Sequence, residues 1–308
     1  IPGGAEESLR LLIVTRDSTD IINTDFTHSG LAGLVTQMAG AVRGLDLRRH
    51  KSVANSMGQG LKIAKWPVRK AAYVVPSGAL HFVPWGALDV GYPVAVLPAA
   101  GWLLRVPVSM GVTKAAVIVD DPDFRGAFKQ LEGARKEAIE IGKLYGTEPL
   151  LGLAASEETL RGQVGGGVDI LHFATHGFFD AANPLASFIL LSGREQPQKL
   201  TAAKLFENPL PARLVVLSAC ETGVGKTVAG DDFLGLPRSF YLGGTLAVVS
   251  SLWPVDDFNT KLFMETFHRR AKSGDYGGAW LEARDRLRAA GVPPLFYGAF
   301  VLGGALKG

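Results

Sequence analysis

Two residues have the types and the neighbours of a nucleophile and its base. His176, followed directly by Gly177, closes the apolar run at residues 168–175, and Cys220 closes the apolar run at 214–219. A thiol with a pKa of about 8.5 becomes a competent nucleophile near neutral pH when an imidazole favours the thiolate. The same imidazole can later protonate a leaving amine. Gly177 has no side chain, so backbone N–H groups can approach a carbonyl oxygen that gains charge during acyl transfer. The N–H groups of Gly177 and Cys220 are the expected oxyanion donors.

The elements that must position these groups are legible as well. The two apolar runs are separated by a helix-sized segment near residues 201–207, which makes one βαβ unit. A right-handed crossover lays such strands parallel and adjacent, with both carboxyl ends on the same edge of the sheet. In open α/β sheets that edge is where ligands bind. Further runs at 11–15, 72–75, 115–119 and 246–251 read as buried strands, and amphipathic stretches at 132–145, 156–164, 232–242, 258–272 and 276–289 read as helices. The expected fold class is α/β, a mostly parallel central sheet flanked by helices.

Bulk composition narrows the function classes. The chain has 308 residues, 47% of them hydrophobic, which is ample for a core. Its formal charge of +3 includes no long basic run, so neither a nucleic-acid nor a membrane surface is implied. The single cysteine can form no internal disulfide and no secretory signal pattern opens the sequence, which points to a reducing, cytoplasmic setting. The longest apolar stretches, 241–253 and 295–306, fall short of the roughly 18–20 residues of a spanning helix. Because the sequence opens on Ile1, it reads as the C-terminal part of a longer polypeptide. A Gly- and Pro-rich break at 91–112 suggests a boundary near Ser109, giving a supporting subdomain at 1–109 and a catalytic domain at 110–308.

Plainer readings stand beside these. A cysteine at the end of an apolar strand is also a good small buried hydrophobe. His172, four positions before His176, reads as a hydrogen-bonded core histidine. No second cysteine and no matching acidic cluster accompany the histidines, so no metal is expected. Gly225, Lys226 and Thr227 invite a phosphate-loop reading, but Cys220 stands where that motif needs its first glycine. The glycine-rich stretch 221–232 reads either as a segment that orders on activation or as an ordinary surface loop, with Asp231 and Asp232 as helix caps.

Taken together, LHFATHG at 171–177, LSACETG at 217–223 and SSLWPVDD at 250–257 resemble the CHAT domain, a caspase-like peptidase family often found behind tetratricopeptide repeats. VPSGALHFVPWGAL at 75–88, the segments 121–124 and 131–138, and the last strand at 296–303 extend the resemblance from about Lys70 to the C-terminus. It implies a caspase-hemoglobinase fold with an N-terminal degenerate, pseudo-caspase-like subdomain, and endopeptidase activity through a His176 and Cys220 dyad without a cofactor. The implied partners are a protein or peptide substrate and a helical-repeat domain of the same polypeptide or a regulatory sensor. In caspase-like enzymes the strand after the nucleophile strand pairs with the extended substrate. That strand is 250–253 here, making Ser251 and Trp253 candidate substrate-binding residues. Trp253 reads equally as an apolar wall of the cleft or as a buried core indole. Asp256 or Asp257 resembles the acidic position that receives a substrate arginine in separases. Relatives that carry an acid two residues before the cysteine differ from this chain, which has Ser218 there. A catalytically silent interaction module and a small-molecule hydrolase are the competing functions.

Overall fold

A computed structural model describes residues 7–104, 112, 114–128, 131–180, 182–218 and 235–308. The chain opens with an antiparallel ribbon, β1 (Ser8–Val14) and β2 (Thr19–Thr27), followed by α1 (His28–Arg43) and α2 (Leu47–Gly60). Both helices begin on a side-chain cap. Thr27 Oγ1 accepts from the Gly30 N–H, and Asp46 Oδ1 accepts from the Arg49 N–H at 2.9 Å. Short strands β3 (Ala72–Val74) and β4 (Val94–Val96) come next, then β5 (Lys114–Pro122), α3 (Glu132–Tyr145), β6 (Leu150–Gly152), α4 (Glu157–Val164) and β7 (Val168–Ala174).

After β7 the chain forms a small antiparallel sheet of β8 (Gly177–Phe178), β9 (Phe188–Leu191) and β10 (Gln198–Thr201). It returns through α5 (Ala202–Glu207) to β11 (Ala212–Leu217). The remaining elements are α6 (Leu236–Leu242), β12 (Ala247–Ser251), α7 (Asp257–Ala271), α8 (Tyr276–Ala289), α9 (Pro294–Tyr297) and β13 (Phe300–Gly304).

Among the described residues the central sheet has eight strands in the order β3-β4-β13-β12-β11-β7-β5-β6. Every neighbouring pair is parallel except β12 with β13. This is the expected α/β class, a mostly parallel sheet flanked by helices. Alternation along the strands divides the core. Ile118, Ile170, Val216 and Val249 face α3, α7 and α8, where Phe263 stacks on Phe300 with ring centroids 4.0 Å apart. Val117, Leu171, Val215 and Val248 face α4, α5 and α6 through Leu160, Leu205 and Phe240. Burying each such side chain is worth about 1.5–3 kcal/mol, so the two faces together hold the sheet between helix layers.

One expectation changes. Residues 11–15 were expected to be a buried strand, but most of that run lies in β1 of the separate ribbon, where Leu12 and Val14 are 52% and 68% exposed. With only β2 as a partner, the ribbon has one face on the core and one in water. The break at 91–112 contains β4, which joins β3 to the central sheet through β13. The sheet therefore draws strands from both sides of the expected boundary, and Ser109 itself lies outside the described residues.

Candidate active site

β7 and β11 are adjacent and parallel, with Leu217 opposite Phe173, and the Ser218 N–H donates to the Phe173 carbonyl at 2.8 Å. His176 stands three positions beyond Phe173 and Cys220 three positions beyond Leu217. The described parts of the two strands thus end on one sheet edge at one register. Cys220 lies outside the described residues, as does the stretch 221–232 with Asp231 and Asp232.

His176 is 7% exposed and its backbone is fixed on both sides. Thr175 Oγ1 donates to the Leu190 carbonyl at 2.8 Å, and the Leu190 N–H donates to the His176 carbonyl at 2.9 Å. That second bond makes Gly177 and Ile189 a non-hydrogen-bonded pair of the β8–β9 ladder, which turns the Gly177 N–H away from β9. The imidazole packs on Phe124 and Phe128, with centroids 4.8 and 5.7 Å away. The turn that carries Phe124 is held by the Asp123 N–H, which donates to Ser192 Oγ at 2.8 Å.

One polar row crosses the same edge. Asp120 lies opposite Ala174, Ser218 is the next residue after the Leu217–Phe173 pair, and Ser251 is the next after the Leu217–Ser250 pair. Asp120, Ala174, Ser218 and Ser251 therefore share a register and, by strand alternation, one face. Asp120 is fully buried. It belongs to β5, and only the strand pairing reveals its relation to the site.

The other sequence candidates are placed as follows. Trp253 is 5% exposed, its indole N–H donates to the Leu295 carbonyl at 2.8 Å, and its ring meets His50 edge-on at 5.5 Å. This is the core placement of the indole. Asp256 caps α7, its carboxylate accepting from the Asn259 N–H at 3.1 Å and from Asn259 Nδ2 at 2.7 Å. Asp257 is the first residue of α7, with its carboxylate against Gly133 of α3, where a Cβ would sit 2.2 Å from Oδ2.

His172 is a buried structural histidine. Nδ1 lies 3.1 Å from His268 Nε2, and Nε2 lies 3.1 Å from Glu137 Oε1, within ion-pair range though off hydrogen-bond alignment. Among the described residues, no group of three or more His, Cys, Asp or Glu side chains is placed to hold a metal ion. Among the described residues, no helix is long and apolar enough to cross a membrane.

Comparison with known proteins adds the following. Residues 59–289 match the family model of the CHAT domain. Tetratricopeptide repeat protein 28 of Mus musculus is 26% identical over 278 residues, which covers 71% of this chain and 11% of that protein. Its Homo sapiens counterpart is 26% identical over 208 residues, covering 54% of this chain and 8% of that protein. The chain thus spans about a tenth of the length of the curated relatives it matches. Among solved structures, Saccharomyces cerevisiae separase in its complex with securin is similar with a TM-score of 0.49 and 16% identity, over 75% of this chain and 15% of that one. The Arg-specific cysteine proteinase gingipain R (RgpB) is similar with a TM-score of 0.46 and 9% identity, over 91% of this chain and 75% of that one.

Proposed function

This chain belongs to the CHAT domain family, and from that premise we propose that it is a cysteine endopeptidase acting through His176 and Cys220. The observation that supports the reading is the parallel register of β7 and β11, whose carboxyl ends meet the same edge of the sheet just before these two residues in the sequence. His176 takes the thiol proton, and the Sγ thiolate attacks the carbonyl carbon of the scissile peptide. The tetrahedral oxyanion accepts from the N–H groups of Gly177 and Cys220. The C–N bond then breaks as the imidazolium gives its proton to the departing amine, leaving a thioester. Water, deprotonated by His176, attacks the thioester and releases the acid and the thiol.

The side chain before the cut meets Ser218 and Ser251, the β11 and β12 end of the polar row, with Asp256 and Asp257 farther along the same rim. A carboxylate on that rim favours a basic residue. A helical-repeat domain is the proposed covalent partner, consistent with relatives named for tetratricopeptide repeats. Because those relatives are named for repeats and not for proteolysis, a silent interaction module is the second reading.

Incubation of the chain with a proteome-derived peptide library separates the two. Cleavage that disappears in both Cys220→Ala and His176→Ala supports the peptidase. Cleavage that persists in Cys220→Ala removes the proposed nucleophile, and its absence from the wild type favours the module.

A further inference from the structure

We propose that Phe128 and Phe178 form an apolar subsite for the residue immediately after the scissile bond, and that the enzyme selects a bulky aliphatic or aromatic side chain there. The inference rests on the endopeptidase reading of His176 and Cys220 and concerns the opposite half of the substrate from Ser218 and Ser251.

Its direction comes from the strand order. β11, which leads to Cys220, lies on one side of β7, and β5 lies on the other. In acyl transfer the carbonyl carbon bonds to sulfur, while the amine departs toward the imidazole that protonates it. The leaving half of the peptide therefore passes His176 on the side away from β11. That side is built from the segment after β5 and from β8.

What stands there is aromatic. Phe128 lies 5.7 Å from Phe178 between ring centroids, and Phe178 stacks on Phe188 at 4.8 Å. Not every ring in this series is available. Phe124 is fully buried against His176. Phe188 is covered by Phe178 on one side and approached by the Lys199 ammonium, 4.3 Å from its centroid. Phe128, packed on the imidazole, and Phe178, packed on Phe128, remain half-buried and so keep part of their surface in reach of a ligand. Two such rings remove an apolar side chain from water, whereas a charged one would lose hydration without a partner.

The test is a proteome-derived peptide library cleaved by the wild-type chain, by Phe128→Ala and Phe178→Ala, and by the milder Phe128→Leu and Phe178→Leu in case the alanine variants unfold. The wild type is expected to enrich Leu, Met, Phe or Tyr directly after the cut by about tenfold. The alanine variants lose that enrichment, the leucine variants shift it toward larger residues, and the profile before the cut stays fixed in all four. A wild-type profile that is flat after the cut overturns the subsite, as does one that none of the four substitutions changes. Cleavage that survives in Cys220→Ala, or no cleavage at all, overturns instead the peptidase reading beneath it.

Discussion

His172 on β7 and His268 on α7 face one another in the core, Nδ1 to Nε2 at 3.1 Å, although 96 positions separate them in the chain. The contact continues at both ends. Glu137 of α3 lies 3.1 Å from His172 Nε2, and the Tyr145 hydroxyl lies 3.2 Å from both His268 Nδ1 and the His268 carbonyl. Four polar side chains from α3, β7 and α7 thereby span the layer between the helices and the strand that leads to His176. Burial, and next the His172 ring, hold His268 well below the ordinary histidine pKa of 6.5, so it is neutral in the folded protein.

Replacing His268 with leucine strands His172 Nδ1 in an apolar layer, while the Tyr145 hydroxyl keeps the backbone carbonyl of residue 268. The expected cost is about 1–3 kcal/mol, because one buried polar group loses its partner. Urea denaturation at neutral pH measures it. A loss below about 0.5 kcal/mol would mean that the contact contributes little beyond packing.

His50 gives the fold a second acid-sensitive point. Its ring is fully buried in α2 beside Trp253, and burial lowers its pKa from 6.5 to about 4. Above pH 6.5 both the folded and unfolded chains carry it neutral. As pH falls below 6.5 the unfolded chain takes up a proton that the folded one refuses, so stability declines until about pH 4. The loss attributable to this group is about 3 kcal/mol. His50→Phe is expected to flatten the thermal stability profile across that window, while His268 continues to contribute its own slope. An unchanged slope in His50→Phe would show that His50 is not the titrating group.

How much of this was legible in the sequence depended on distance along the chain. The βαβ unit that carries His176 could be read because runs of Val, Leu and Ile end sharply at polar residues, and α3 and α8 were expected at the bounds they adopt. Helix α2 was hidden because LRRHKSVANSMGQG offers mainly small or thin apolar residues, such as Val53, Ala54 and Met57, to its buried face. β8 is too short to show any alternation, and it exists because the β9 backbone pairs with it. Asp120 on β5 and His268 on α7 carry no local signal of the neighbours they acquire. Their surroundings are created by strand and helix packing that local pattern does not encode.

Gly304 ends β13 with φ of +83°, and an added Cβ would lie 2.2 Å from the Leu246 carbonyl oxygen. Both the backbone conformation and the space require glycine. Gly304→Ala is expected to cost about 2–4 kcal/mol. Gly78, with φ of +51° and nothing within 4 Å of the added Cβ, is the control. Gly78→Ala pays only the left-handed conformation, about 1 kcal/mol. Equal losses in the two variants would leave the carbonyl clash without effect.

The acidic rim makes the final prediction, and it concerns selection before the cut. Asp257→Asn keeps the shape of the side chain and removes its charge, so it isolates electrostatic recognition from packing. If Asp257 receives a substrate cation, kcat/KM for peptides with Arg or Lys before the cut falls about tenfold, while that for an apolar residue at the same position changes little. Asp256→Asn keeps an N-cap acceptor and removes only the charge at the start of α7, so it is expected to lower stability by about 0.5 kcal/mol and to leave the basic preference in place. A uniform decline of every substrate in Asp257→Asn would instead assign this carboxylate to holding the rim together. Loss of basic preference in Asp256→Asn alone would move substrate recognition to the capping carboxylate.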